Sequence, residues 1–166
     1  MAAEEPSATL ERRVKVAFLY RFAGYVEWPV DAFASPKDPI VLGIAGDEVM
    51  ADELEVAVAG REVAGRPLRV RRLGAGVAFE RCCHVLFIDR SVAPADSQAM
   101  LAHAEGRPVL TVTELDAGAP RGSIINFARG TDRIRFDISL AAAERNRLSL
   151  RSQLLVVARN VTPKAP

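Results

Sequence analysis

The chain has 166 residues, of which 49% are hydrophobic and 26% are charged, and its formal net charge at pH 7 is +1. This length suits one globular domain that buries roughly 70% of the surface exposed by its unfolded chain. A charge so close to zero excludes wholesale binding to nucleic acid or to an anionic membrane, because both need a strong basic excess.

The first predicted element is a helix that ends at Trp28, because Pro29 follows it. Between residues 14 and 28 apolar side chains occupy most of the helix circumference, which is typical of a buried helix. At about 15 residues the segment is too short to cross a bilayer. It holds five of the ten aromatic residues of the chain. These rings predict a core helix or, alternatively, a ligand pocket lined by Phe22, Tyr25 and Trp28.

Downstream, apolar runs bounded by Gly and Pro predict alternating strands and helices. Strands are predicted at 40–45, 68–73, 83–88 and 109–113, helices at 47–60, 94–104, 139–146 and 148–158, and a hairpin at 123–128 and 133–138. These elements predict an α/β three-layer sandwich. Its mixed sheet should have about five to six strands, with a parallel centre and an antiparallel C-terminal hairpin, flanked by helices. We expect one domain spanning 10–160, with flexible ends at 1–9 and 161–166.

Three local patterns could carry chemistry, and each has a simpler structural interpretation. Residues 43–47 join a strand to a helix as phosphate loops do, but they lack the glycines and the Gly-Lys-Ser/Thr of known motifs. Strand alternation lets only Cys82 and His84 share one face, which is too few ligands for zinc. The sequence contains no Gly-x-Ser-x-Gly motif for a nucleophilic serine. It also contains no carboxylate pair whose spacing indicates acid–base catalysis. The sequence therefore predicts no catalytic residue, metal site or cofactor.

The second strand of the predicted hairpin carries a row of polar side chains. Alternation directs its apolar residues inward and its polar residues outward. The outward row consists of Arg133, Arg135 and Asp137. With Asn126 on the neighbouring strand, this row predicts a partner-binding surface. The alternative is an ordinary edge strand that uses charge to avoid aggregation.

Five stretches of the chain, in order, resemble the YfiR-like family. They are residues 14–22 with 26–29, the strand Cys83-His-Val-Leu-Phe-Ile88, and residues 108–113, 133–138 and 148–155. The match covers nearly the whole chain. Its segments describe a fold more than a chemistry.

The resemblance implies a non-enzymatic periplasmic regulatory protein. Such a protein would bind and inhibit a membrane-bound diguanylate cyclase, and so modulate cyclic-di-GMP signalling and biofilm formation. An outer-membrane lipoprotein of the YfiB type and a second copy of the chain are further partners that the resemblance implies. The alternative function is a small-molecule-binding sensory module of a signalling system. Residues 1–6 show neither the basic nor the apolar region of a signal peptide.

The two cysteines, Cys82 and Cys83, are candidates for redox chemistry. In redox-responsive members of the family, the cysteine at the start of this strand pairs with one in an earlier strand, where this chain has Gly43. The resemblance therefore implies that Cys83 has no intramolecular partner. Cys82, if exposed, would be able to form an intermolecular bridge.

Overall fold

The computed structural model describes residues 6–74, 83–129 and 133–164. The helices are α1 (Pro6–Gly24), α2 (Glu48–Val58), α3 (Pro94–Ala104), α4 (Leu140–Arg145) and α5 (Ser152–Val157), with a 3-10 turn at Val30–Ala32. The strands are β1 (Val26–Glu27), β2 (Ile40–Ala45), β3 (Glu62–Val63), β4 (Arg66–Leu73), β5 (Val85–Ile88), β6 (Leu110–Thr113), β7 (Ile125–Arg129), β8 (Ile134–Ser139), β9 (Ser149–Leu150) and β10 (Asn160–Thr162).

The main sheet has eight strands in the order β10-β8-β7-β6-β5-β2-β4-β3. Strands β4, β2, β5, β6 and β7 run parallel, and β8 returns antiparallel to β7. The predicted mixed α/β sheet is thereby confirmed, with more strands than the five to six expected. The additional strands include β3 and β10, which are too short to show an alternating pattern in the sequence.

Helices cover both faces of the sheet, as a three-layer sandwich requires. The larger core lies between the sheet and α1, α2 and α4, and the smaller core lies under α3. Alternation along β2 illustrates the division, since Ile40, Leu42 and Ile44 face the larger core while Val41 and Ala45 face the smaller one.

Phenylalanine rings from α1 and the hairpin form the centre of the larger core. Phe22 of α1 stacks on Phe127 at 5.9 Å and meets the edge of Phe136 at 5.2 Å between ring centroids. All three are almost inaccessible to solvent. Full burial of such a side chain contributes roughly 1.5–3 kcal/mol, so these contacts hold α1 firmly against β7 and β8.

Side chains cap the amino ends of α2 and α4. The Met50 amide donates to Asp47 Oδ1 at 2.9 Å at the start of α2, and the Ala142 amide donates to Ser139 Oγ at 3.1 Å at the start of α4. Each cap satisfies an amide that the helix itself leaves unpaired.

The first helix ends four residues before the predicted boundary at Trp28. The Tyr25 amide turns back to the Phe22 carbonyl at 3.0 Å, and β1 then pairs antiparallel with β9. The helix also begins at Pro6, so residues 6–9, which we expected to be flexible, belong to it.

Residues 148–158 do not form the single amphipathic helix that the sequence predicts. They divide into β9, the short α5 and the approach to β10, which adds to the sheet beside β8 and ends at Thr162. Pairing with distant strands overrides local helix preference here, which a single-sequence pattern cannot show.

Candidate functional site

A cleft of about 330 Å³ opens between α1, α5 and the start of β8. It is lined by Phe18, Arg21, Phe22, Tyr25, Arg133, Ile134, Arg135, Phe136, Gln153 and Val157. We call it the arginine cleft.

Aromatic rings make the floor of the arginine cleft. Phe18 and Phe22 lie one helical turn apart on α1 and stack at 5.8 Å, and the edge of Phe136 meets both rings at 5.2 Å. Phe22 and Phe136 are buried, whereas Phe18 is partly exposed. The floor therefore rests on packed rings and presents the Phe18 ring to the open side of the cleft. Such a surface can bind an apolar or aromatic group.

Three arginines surround this floor. Arg21 lies in the last turn of α1, and Arg133 immediately precedes β8. Arg135 lies on β8 itself and lines the cleft at the edge of the strand. Strand alternation directs its side chain away from that of Phe136. Within the described chain, none of the three guanidinium groups has a side-chain hydrogen bond or ion pair. No acidic residue is among the described lining residues, so the cleft favours an anionic group.

Two sites that the sequence predicts separately meet in this cleft. Phe22 and Tyr25 of the predicted ligand pocket lie beside Arg133 and Arg135 of the predicted partner surface. The sequence could not place them together because α1 and β8 are more than a hundred residues apart. Trp28 does not line the cleft.

Asn126 and Asp137 do not form part of the same accessible surface. Asn126 is 1% exposed. Its Oδ1 accepts from the Thr113 hydroxyl at 2.7 Å and from the Leu115 amide at 3.0 Å, and its Nδ2 donates to the Leu115 carbonyl at 3.0 Å. Asn126 therefore fastens β7 to the end of β6, and it is not on the outward surface that the sequence predicts.

Asp137 is engaged within the chain. Arg159, which precedes β10, donates to both carboxylate oxygens at 3.0 and 2.7 Å, and the Asn160 amide group donates at 3.2 Å. The hydrogen bonds from Arg159 lower the pKa of Asp137 below its ordinary value. Of the predicted outward row, Arg133 and Arg135 are thus the members that remain available to a partner.

Cys83 takes part in a disulfide, which contradicts the expectation that it lacks an intramolecular partner. The expectation rested on Gly43, which occupies the position where redox-responsive members of the family have the partner cysteine. The other cysteine of the chain, Cys82, lies outside the described residues. Gly43 is directly adjacent to Cys83, since a Cβ atom added to Gly43 would lie 2.8 Å from the Cys83 sulfur.

A second cavity, of about 500 Å³, borders the carboxyl ends of β2 and β5. The strand order reverses at this point, which is where parallel sheets usually bind ligands. Gly46 makes the turn with φ +94°, and Asp47 uses its carboxylate to cap the Met50 amide. Because the carboxylates of Glu48 and Asp96 also line the cavity, it is poorly suited to phosphate. The tight-turn interpretation of this segment is the better one.

A buried charge network that the sequence pattern does not reveal lies beneath α1. Lys15 Nζ lies 2.5 Å from Glu114 Oε2, and Arg90 Nε donates to Glu114 Oε1 at 3.1 Å. Arg90 also contacts Asp116 at 3.2 Å. The signal was present, since Lys15 is a charged residue within the largely apolar run of residues 14–28, but its partner is 99 residues away.

Within 6–74, 83–129 and 133–164, no three His, Cys, Asp or Glu side chains are grouped so as to hold a metal ion. None of the helices in the same part of the chain is long and apolar enough to span a membrane.

The fold and its surface define an α/β domain with a mixed sheet and a cleft lined by aromatic rings and arginines. The sequence places it more narrowly, because residues 12–159 of the 166 match the YfiR/HmsC-like family model, and the chain belongs to this family. The family is regulatory and periplasmic, and membership in it suggests a role in diguanylate cyclase signalling. No curated protein matches the chain.

Proposed function

We propose that this protein is a non-enzymatic periplasmic regulator that binds and inhibits a membrane-bound diguanylate cyclase, and so restrains cyclic-di-GMP synthesis and biofilm formation. Family membership over residues 12–159 supports the general role. The observation that carries the proposal is the arginine cleft, because Arg21, Arg133 and Arg135 present guanidinium groups to which the described chain offers no anion.

The cleft suits an acidic segment of the periplasmic part of the cyclase. Guanidinium groups bind carboxylates through two parallel hydrogen bonds, while the rings of Phe18 and Phe22 receive an apolar neighbour of the acidic side chain. A stable interface buries about 800 Å² on each partner, which is far more than the cleft. The cleft would therefore be the centre of the interface, where most binding energy concentrates.

Binding of the purified protein to the periplasmic part of the cyclase tests this proposal. Arg133→Glu and Arg21→Glu are expected to weaken binding at least about tenfold each, because each places a negative charge against an acidic partner. Arg69→Glu is the matched control, since Arg69 is exposed on β4 at the other end of the sheet. Unchanged binding by both cleft variants would show that the cyclase docks elsewhere.

The same assay extends to release of the inhibition. We propose that an outer-membrane lipoprotein of the YfiB type competes with the cyclase for this protein. Adding its soluble domain should then restore cyclase activity in proportion to the protein it captures. Retention of full inhibition while the lipoprotein is bound would contradict competition. Sedimentation of the protein alone would show whether it forms a homodimer, and sedimentation of the mixture with the cyclase domain would show which form binds.

A second candidate function, a small-molecule sensory module, is favoured by the size and floor of the arginine cleft. Ligand pockets occupy about 300–1,000 Å³, and an aromatic floor below arginines suits a small anion that carries an apolar or aromatic group. A thermal-shift screen of amino acids and nucleotides tests it. A ligand at 100 times its dissociation constant should stabilise the protein by about 2.7 kcal/mol. Arg21→Gln should abolish that stabilisation, whereas Arg69→Gln should retain it.

A further inference from the structure

The loop between β1 and β2, residues 28–39, is held against the sheet by a group of stacked side chains. Phe33 stacks on the His84 ring at 4.4 Å between ring centroids, and the Arg66 guanidinium carbon lies over the Phe33 ring, 3.6 Å from its centroid. Trp28 meets the His84 ring edge-on at 5.8 Å. We call Trp28, Phe33, Arg66 and His84 the aromatic latch.

Hydrogen bonds fix the protonation state of His84. The Val41 amide of β2 donates to Nδ1 at 3.0 Å, so Nδ1 has no proton. The other ring nitrogen, Nε2, lies 3.0 Å from the Ala32 carbonyl oxygen and donates to it. The ring is therefore neutral in this arrangement, and it connects the loop to the amino end of the sheet.

The buried surroundings of His84 oppose its protonation. Arg66 lies on β4 and donates to the carbonyls of Ser35 and Asp38, both at 2.9 Å, which holds the positive charge next to the stack. The carboxylate of Asp38 is engaged by the Ser35 amide and hydroxyl. Burial lowers the pKa of His84, and the charge of Arg66 lowers it further. The Ala32 carbonyl and Asp38 act in the opposite direction.

We propose that the aromatic latch is an acid-released device in which protonation of His84 frees residues 28–34 from the sheet. A proton on Nδ1 removes the acceptor of the Val41 amide and puts a second cation into the stack beside Arg66. Opening also lets water reach the indole nitrogen of Trp28, which is buried without a hydrogen-bond partner among the described atoms. Satisfying that group reduces the cost of opening.

The latch goes beyond the proposed regulatory role and does not depend on it, because none of its residues lines the arginine cleft. Released, the loop would uncover Trp28 and Phe33, two aromatic side chains that neutral pH keeps packed. The device would thus change the accessible surface of the protein without changing the sheet beneath it.

Intrinsic fluorescence tests the latch directly, because Trp28 is the single tryptophan of the chain. We expect acidification from pH 8 to pH 4.5 to shift its emission reversibly to the red, with a midpoint below 6.5, the ordinary pKa of histidine. Far-UV circular dichroism should stay constant over this transition. His84→Gln should remove the transition, and His103→Gln, which changes the only other histidine, should retain it.

A measurement on the unmodified protein guards against a variant that fails to fold. In nuclear magnetic resonance titrations, the ring protons of His84 and the indole N–H of Trp28 should change with the same midpoint. The latch is overturned if emission does not change, if His84→Gln keeps the transition, or if the two resonances titrate separately. Loss of circular dichroism at the same midpoint as the fluorescence change would equally overturn it, because the event would then be global unfolding.

Discussion

The buried pair between Lys15 and Glu114 gives the sharpest test of how α1 is held, because its two members should not be equally costly to remove. Glu114 lies just after β6 and is bonded on one oxygen by Lys15 and on the other by Arg90. The side chains of Lys15 and Glu114 are 10% and 4% exposed, whereas that of Arg90 is 31% exposed. Arg90 also keeps a second acidic partner in Asp116.

The magnitudes follow from what each substitution leaves behind. Glu114→Leu leaves the Lys15 ammonium buried without an anion, and removing one partner of a buried pair typically costs about 3–5 kcal/mol. Lys15→Met leaves Glu114 bonded to Arg90, so we expect the smaller cost of about 1–3 kcal/mol for losing one charged hydrogen bond. The double variant should be more stable than Glu114→Leu alone, because Arg90 retains Asp116 and solvent.

Denaturant unfolding of the wild type, both single variants and the double variant measures these free energies. In a domain of this size, each kcal/mol should also change the melting temperature by about 2–4 °C. Equal losses for the two single variants, or a double variant whose loss is the sum of both, would refute the reasoning. The first result would mean that the ion pair with Arg90 does not stabilise the Glu114 carboxylate once Lys15 is removed. The second would mean that the charges of Lys15 and Glu114 do not interact.

Three further substitutions test other contacts. Gly43→Ala should destabilise the protein by about 1–3 kcal/mol, because its Cβ would lie 2.8 Å from the Cys83 sulfur. Gly24→Ala, with no atom nearer than 3.9 Å, is the control whose equal loss would contradict this. Asn126→Ala should cost about 1–3 kcal/mol by denaturant unfolding, because it leaves buried polar groups unpaired. Asp137, whose pKa is lowered in the folded state, stabilises the fold above its unfolded pKa of 3.8. Wild-type protein should lose that stability as pH falls through the folded pKa, and Asp137→Asn should lack this part of the acid dependence.

Elements whose boundaries are encoded locally could be predicted from the sequence. Strand β2 and helix α3 have the predicted bounds. Both are marked by local signals: β2 is an apolar run between Pro39 and Gly46, and α3 begins at a proline and is followed by Gly106. The Asp47 cap is local in the same sense. The alternation of β8 is also as predicted, with buried residues at every second position.

Features that depend on distant partners could not be predicted. The end of α1 at Gly24 requires β9, which arrives more than a hundred residues later to pair with β1. The position of Arg133 on a cleft, rather than on an open strand, likewise depends on where α1 and α5 pack. Strand alternation gave the correct face for Asp137 but could not reveal that Arg159 engages it.

The spacing along α1 connects its anchor to the arginine cleft. Lys15, Phe18 and Phe22 follow one another at intervals of three and four residues, so they form one stripe along the helix. Ring contacts alone tolerate some rotation of a helix, because aromatic packing is less directional than a hydrogen-bonded ion pair. The bond from Lys15 to Glu114 fixes the rotation of α1 at one end of the stripe, and the rings of Phe18 and Phe22 then necessarily face β8. The buried pair therefore sets the shape of the cleft floor, although it lies outside the cleft.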